Sequence, residues 1–179
     1  MKKALILDRD GVINCEKGYV GRVKDFEFLD GVFEALREAR RKGYLLVIVT
    51  NQAGIARGYY TEEDYHRLTE WMLRKLRDEG VEITAVYYDP YHPEGTGRYR
   101  RDSLRRKPHP GMILEAAREH SLDLAASALV GDKLSDVEAG RRAGVGRLFL
   151  VRSGHPFDEN DIPREVEVAD DLREVVQRL

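Results

Sequence analysis

The stretch Ala4-Leu5-Ile6-Leu7-Asp8-Arg9-Asp10-Gly11-Val12-Ile13-Asn14 decides the fold. Four consecutive apolar residues match a short strand buried on both faces, the kind found in parallel sheets covered by helices. The run ends abruptly in two carboxylates at i and i+2, then glycine. In open α/β sheets, ligands bind outside the carboxyl ends of the strands. While the chain stays extended, Asp8 and Asp10 share a face and can address one reacting group. Two anions this close repel unless a cation lies between them, and Mg²⁺ takes carboxylate and carbonyl oxygens readily. Taken alone, Asp-x-Asp-Gly also occurs in turns and calcium loops, so the rest of the chain has to decide.

Outward from this strand, apolar runs alternate with stretches of helical period, the pattern of repeated βα units. Asp30 is expected to cap a helix carrying Val32, Leu36 and Ala39 on one face, with Gly43 as its stop. Strands follow at Leu45 to Val49, Ile83 to Tyr88, Ala128 to Val130 and Leu148 to Val151. Thr61, ahead of Glu62, Glu63 and Asp64, starts a second helix that runs to Gly80. Helices are also expected from Pro110 to near His120, from Ser135 to Ala143 and from Leu172, with a short edge strand at Val166 to Val168. Between Asp89 and Arg106 neither period holds, and Pro90, Pro93, Gly95 and Gly97 mark a long irregular loop. The expected architecture is a Rossmann-like α/β three-layer sandwich with a mostly parallel central sheet.

Composition narrows the function. With 179 residues, 42% of them apolar, one domain over residues 1–179 is expected. Lys plus Arg (30) and Asp plus Glu (32) cancel to a net charge of −2, so no global field favours nucleic acid or membrane partners. Without a long apolar run or a secretory signal, the chain reads as cytoplasmic. The single cysteine, Cys15, excludes an internal disulfide and any zinc site built on several thiolates.

Further polar residues fall just after predicted strands or at the mouth of a loop. Thr50-Asn51 follows the second strand, Lys107 closes the long loop, and Gly131-Asp132-Lys133-Leu134-Ser135-Asp136 follows the fourth. A carboxylate nucleophile, Asp8, can split a difficult hydrolysis into two steps. Asp10 can donate a proton in the first and accept one in the second. Thr50 and Asn51 offer a hydroxyl and an amide to phosphoryl oxygens, and Lys107 contributes a compact positive charge.

With these residues the sequence resembles the haloacid dehalogenase-like phosphatases, whose motifs match Asp8-x-Asp10, Thr50, Lys107 and Asp132 with Asp136. Within that superfamily, DRDGVIN, GYV, FEFLDGV, VTNQAGIARG, YTEEDYHRLTEW, RKPHPGM and VGDKLSD are similar to the D-glycero-D-manno-heptose 1,7-bisphosphate 7-phosphatases over roughly residues 3 to 152. Histidinol-phosphate phosphatases share much of the pattern. The resemblance implies Mg²⁺-dependent phosphomonoester hydrolysis through an aspartyl phosphate. It implies Mg²⁺ held by Asp8, Asp132 and the backbone carbonyl of Asp10, with support from Asp136. The expected substrate is a small phosphorylated sugar and the expected state a monomer.

The spacing between motifs leaves no room for a separate cap domain, so specificity falls to loops. Arg98, Arg100, Arg101, Arg105 and Arg106 lie in the long loop, and Arg106, beside Lys107, is the expected contact for a second phosphate. Gln52, Arg57 and Glu16 are further candidates for substrate contact from neighbouring loops. Zinc-bearing members of the resembling families carry Cys-x-His and Cys-x-Cys in this loop. The matching positions here are Asp89, Tyr91, Ser103 and Arg105, so no structural zinc is expected and an Asp89–Arg105 ion pair is the expected replacement. A phosphoacceptor signalling domain also combines aspartate, threonine and lysine on a parallel sheet. Its acceptor normally follows a later strand, whereas Asp8 follows the first.

Overall fold

The computed structural model describes residues 1–179. Six strands, β1 (Ala4–Leu7), β2 (Leu45–Asn51), β3 (Ala85–Asp89), β4 (Ala128–Gly131), β5 (Arg147–Val151) and β6 (Val166–Ala169), form one sheet in the order β3-β2-β1-β4-β5-β6. Every neighbouring pair is parallel, so the α/β class read from the sequence holds, with a wholly parallel sheet. Alternation along the strands builds two cores. Leu5, Leu7, Leu46, Ile48 and Phe149 face one side, while Ala4, Ile6, Val47, Val49, Leu148 and Leu150 face the other.

Helices α1 (Val32–Arg41), α3 (Glu62–Asp78) and α6 (Leu172–Gln177) cover the first face through Leu36, Leu68, Met72 and Val175. Helices α4 (Gly111–His120) and α5 (Leu134–Ala143) cover the second through Met112, Ile113 and Val137. A four-residue helix, α2 (Ala53–Ala56), follows β2 directly. The chain steps from β1 to β2 and β3 on one side, then returns to place β4 on the other side of β1. This reversal opens a crevice at the carboxyl ends of β1 and β4.

Thr61 caps α3 in a reciprocal box with Asp64, each backbone N–H donating to the other's side chain at 3.0 Å. Asp30 does not cap α1. Gly31 occupies that position in a left-handed conformation, φ 76°, and no side chain caps the helix. The third strand begins at Ala85 rather than Ile83 and runs on to Asp89, because β2 extends far enough for Asn51 to pair with it.

The expected Asp89–Arg105 pair is replaced by a different arrangement. Asp89 Oδ1 accepts the Ser103 hydroxyl at 2.7 Å and Oδ2 the Tyr91 N–H at 3.3 Å. Arg105 reaches past them to Glu115 on α4 at 3.0 Å and the Tyr88 carbonyl at 2.7 Å. Asp89 is fully buried, and the short serine satisfies its carboxylate where a guanidinium would need more room. With the Arg105 N–H donating to Ser103 Oγ at 3.2 Å, all four of these positions are thus linked by hydrogen bonds. At its far end the loop is tied to α2 by Thr96, whose N–H and hydroxyl both donate to Ala56 O.

Candidate active site

Asp8 leaves the end of β1 with its N–H donated to Val130 O of β4 at 3.0 Å. Lys107, only 3% exposed, donates from Nζ to Asp8 Oδ1 at 2.9 Å and to Val49 O at 2.8 Å, and pairs with Asp136 Oδ1 at 2.6 Å. Three acceptors for three ammonium protons fix the amine in place. Burial alone would push the Lys107 pKa down, but Asp136 and Asp8 outweigh it and hold it above its ordinary value. The Asp8 carboxyl is pushed well up, by burial first and then by Asp136, with Lys107 opposing only in part.

Asn51 lines the cavity, but its amide is engaged: Nδ2 donates to Lys107 O at 3.1 Å and Oδ1 accepts Lys107 N–H at 3.0 Å. It holds the lysine backbone through its oxygen and one of its two amide hydrogens. Thr50 is fully buried outside the cavity lining, its hydroxyl accepting from Gln52 Nε2 at 2.9 Å. Asp10 is held by three donors. Oδ1 accepts from Arg9 at 3.0 Å and Asn14 at 2.9 Å, and Oδ2 accepts from Gln52 Nε2 at 3.3 Å.

Asp136 caps the entry to α5, its Oδ2 accepting the N–H groups of Asp132 at 3.1 Å and Lys133 at 3.0 Å. Both its oxygens are therefore occupied, one by backbone and one by Lys107. Asp132 differs: Oδ2 accepts the backbone N–H of His155 at 2.9 Å and faces its Nδ1 at 2.7 Å, while buried Oδ1 has no partner. Burial, followed by Asp136, pushes the Asp132 carboxyl up to about 6. Gly11 makes this packing possible. Its φ of 89° favours glycine, and a Cβ there would collide with the Asp132 carboxylate.

The cavity at this sheet edge, ≈ 390 Å³, is lined by five carboxylates (Asp8, Asp10, Glu16, Asp132, Asp136) against three fixed cations (Arg106, Lys107, Lys133). Oxygen ligands from Asp8, Asp132 and Asp136 lie within 4.8 Å of one another. This excess of hard anionic donors, with one buried carboxylate oxygen unpaired, fits a divalent cation such as Mg²⁺.

Arg106 and His92 also line the cavity, and the Arg106 Nη1 is buried without a partner. Arg57 lies just behind, 3.5 Å from both His92 and Glu94, outside the lining. Glu16 and Gln52 line the cavity. The sequence reading passed over three residues of this site: Arg9, Tyr60 and His155. The signal available for His155 was its position, four residues beyond Val151, at the same sheet edge as Asp8 and Asp132.

A carboxylate bound to a buried lysine, beside an acidic loop at a parallel sheet's switch point, is the arrangement of haloacid dehalogenase-like hydrolases. A HAD-hydrolase-like family model matches residues 104–175. The chain is an enzyme of this superfamily, a phosphatase. It is 49% identical over 160 residues to D-glycero-beta-D-manno-heptose-1,7-bisphosphate 7-phosphatase of Pasteurella multocida, covering 89% of this chain and 87% of that one. It is 55% identical over 150 residues to the alpha-anomer phosphatase of Burkholderia mallei, covering 83% and 79%. D,D-heptose 1,7-bisphosphate phosphatase from B. bronchiseptica, crystallised with magnesium and phosphate, matches at TM-score 0.88 and 30% identity over 98% of this chain and 97% of that one. The chain belongs to the D-glycero-D-manno-heptose 1,7-bisphosphate 7-phosphatase family. No helix is long and apolar enough to cross a membrane.

Proposed function

We propose that this chain, acting as one capless catalytic domain in the cytoplasm, removes the 7-phosphate of D-glycero-D-manno-heptose 1,7-bisphosphate through a phosphoenzyme on Asp8. The observation that carries this reading is the Lys107–Asp8 contact at 2.9 Å beside an Asp10 held by three donors. An Asp8 oxygen attacks phosphorus and the bond to the sugar oxygen breaks, with Asp10 giving its proton to that oxygen. Water then attacks the aspartyl phosphate and gives its proton to Asp10, releasing phosphate and restoring Asp8. Lys107 sits where it can offset charge on the transferring group. Asp8, Asp132 and, by analogy with the family, the carbonyl of Asp10 would hold Mg²⁺, with Asp136 supporting from behind. When bound, the ion offsets the repulsion between carboxylates and phosphate.

Arg106 supports a bisphosphate over a monophosphate such as histidinol phosphate. A guanidinium with a buried unpaired Nη1 gains most from a phosphate that grips it. Arg106→Ala should lower kcat/KM for the heptose bisphosphate ~10- to 100-fold, the value of a charge-assisted hydrogen bond, and change that for a small monophosphate far less. Steady-state kinetics on both bisphosphate anomers and on histidinol phosphate test the assignment. Preference for histidinol phosphate, or equal losses in the variant, would overturn it.

Metal binding has a readout apart from turnover. A carboxyl with a raised folded pKa binds protons more tightly folded than unfolded. Metal-free protein therefore loses stability at Asp132 as pH rises from the unfolded value, 3.8, through about 6. The ion needs that carboxylate ionised, so the gain in Tm on adding Mg²⁺ should be small at pH 5 and grow to several degrees by pH 7. A Tm indifferent to Mg²⁺ at pH 7 would contradict the proposed ligands.

A further inference from the structure

We propose that Tyr60 is a positioning residue for the proton transfer: its hydroxyl fixes the direction of the Gln52 amide, and through it the Asp10 oxygen that gives and takes the proton. This rests on Asp10 serving as acid and base, as proposed above. Tyr60, 6% exposed, donates its O–H to Gln52 Oε1. Gln52, 2% exposed, then turns Nε2 towards Thr50 Oγ1 at 2.9 Å and Asp10 Oδ2 at 3.3 Å. The Thr50 hydroxyl in turn donates to Asn51 O at 3.4 Å.

The direction of this chain is forced from one end. An ionised Asp10 only accepts, so it needs the NH₂ side of the amide, and Gln52 must present its oxygen to a group that donates. The phenol does so across the working pH range, because burial pushes its pKa above its ordinary value and keeps the proton on. Without that hydroxyl the amide could rotate and aim Oε1 at Asp10 Oδ2, where it would repel the ionised carboxylate and, in the acid form, draw the O–H away from the sugar oxygen.

The ring is seated for the purpose. Gly21 and Gly54 lie against it, and a Cβ at either would collide with the ring carbons. The remaining carboxylate oxygen, Oδ1, is held by Arg9 and Asn14. Arg9 is 1% exposed and also donates to Val20 O at 2.6 Å, so the segment next to Gly21 and the carboxylate are tied together. One arm thus fixes Oδ1 from the strand end and the other fixes Oδ2 through Gln52. Only the second depends on Tyr60.

The test exploits the leaving group, because a sugar alkoxide needs a proton from Asp10 and a nitrophenolate does not. kcat/KM, which reports steps up to phosphoryl transfer, is measured for Tyr60→Phe with the heptose bisphosphate and with p-nitrophenyl phosphate. The sugar phosphate should lose ~3- to 10-fold, the range for one hydrogen bond, while the nitrophenyl ester changes less than ~2-fold. Equal losses would mean that Tyr60 shapes the binding wall, and no loss would mean the hydroxyl does nothing; either overturns the inference.

Gln52→Met supplies a second handle. Tyr60→Phe added to it should cost nothing further, since the hydroxyl acts only through the amide, whereas additive losses would contradict the relay. The two readings fail separately. A fully active Asp10→Asn protein removes the acid–base assignment itself, whereas a crippled Asp10→Asn with unaffected Tyr60→Phe removes only the relay.

Discussion

Asp8→Asn is expected to abolish turnover, by at least ~10⁴-fold, while leaving a folded protein. The amide is nearly isosteric and its oxygen still accepts the Lys107 amine, which keeps its contacts to Val49 O and Asp136. Burial and the neighbouring Asp136 already oppose a charge at Asp8, so a neutral side chain relieves like-charge repulsion in the absence of an ion. What disappears is nucleophilicity, because an amide oxygen cannot form a stable acyl phosphate. Circular dichroism should match the parent, and phosphate release should fall to background. Substantial turnover by such a folded variant would remove Asp8 from the reaction.

Asp10→Asn tests the other half of the site and should fail differently. Its three donors, Arg9, Asn14 and Gln52, are matched to a carboxylate, and an amide would turn one NH₂ group against them. Substrate should still bind, since Arg106 and Lys107 are untouched. The rate should drop ~10²- to 10⁴-fold, the range for general acid and base catalysis. The drop should be larger for a sugar phosphate than for a nitrophenyl ester in the first step, and dephosphorylation should be slow for both. A loss confined to KM would show that Asp10 binds substrate without moving a proton.

The sheet and the charged centre were legible because each depends on local pattern. Asp8, Asp132 and Lys107 each stand at a fixed offset from an apolar run or a loop end, and parallel strands bring such ends to one edge. Thr61 was legible as the start of α3 for the same reason, though the return bond from Thr61 N–H to Asp64 was not. Residues whose roles depend on distant partners were not. Gln52 and Tyr60 meet because the turn of α2, too short to show a helical period, folds the chain back on itself. His155 finds Asp132 only through the packing of two loops that follow different strands. The Asp89–Arg105 pair failed because joining opposite charges at two matching loop positions ignores competition: Ser103 satisfies one partner and Glu115 the other. Asn51 reads as a substrate amide from its place after β2, and only the fold shows that its oxygen and one amide hydrogen hold the backbone of Lys107.

The central claim is that phosphorus passes through Asp8, and trapping the phosphoenzyme tests it most directly. Asp10→Asn enzyme, slowed in dephosphorylation, is mixed with p-nitrophenyl phosphate, whose leaving group needs no proton from residue 10, quenched in acid, reduced with borohydride and digested for mass spectrometry. Reduction converts an aspartyl phosphate to homoserine and leaves free carboxylates alone. The account predicts homoserine at position 8, in substrate-treated enzyme only, in an amount approaching one per chain. Release of phosphate with no residue reduced, or reduction at another carboxylate, would contradict it.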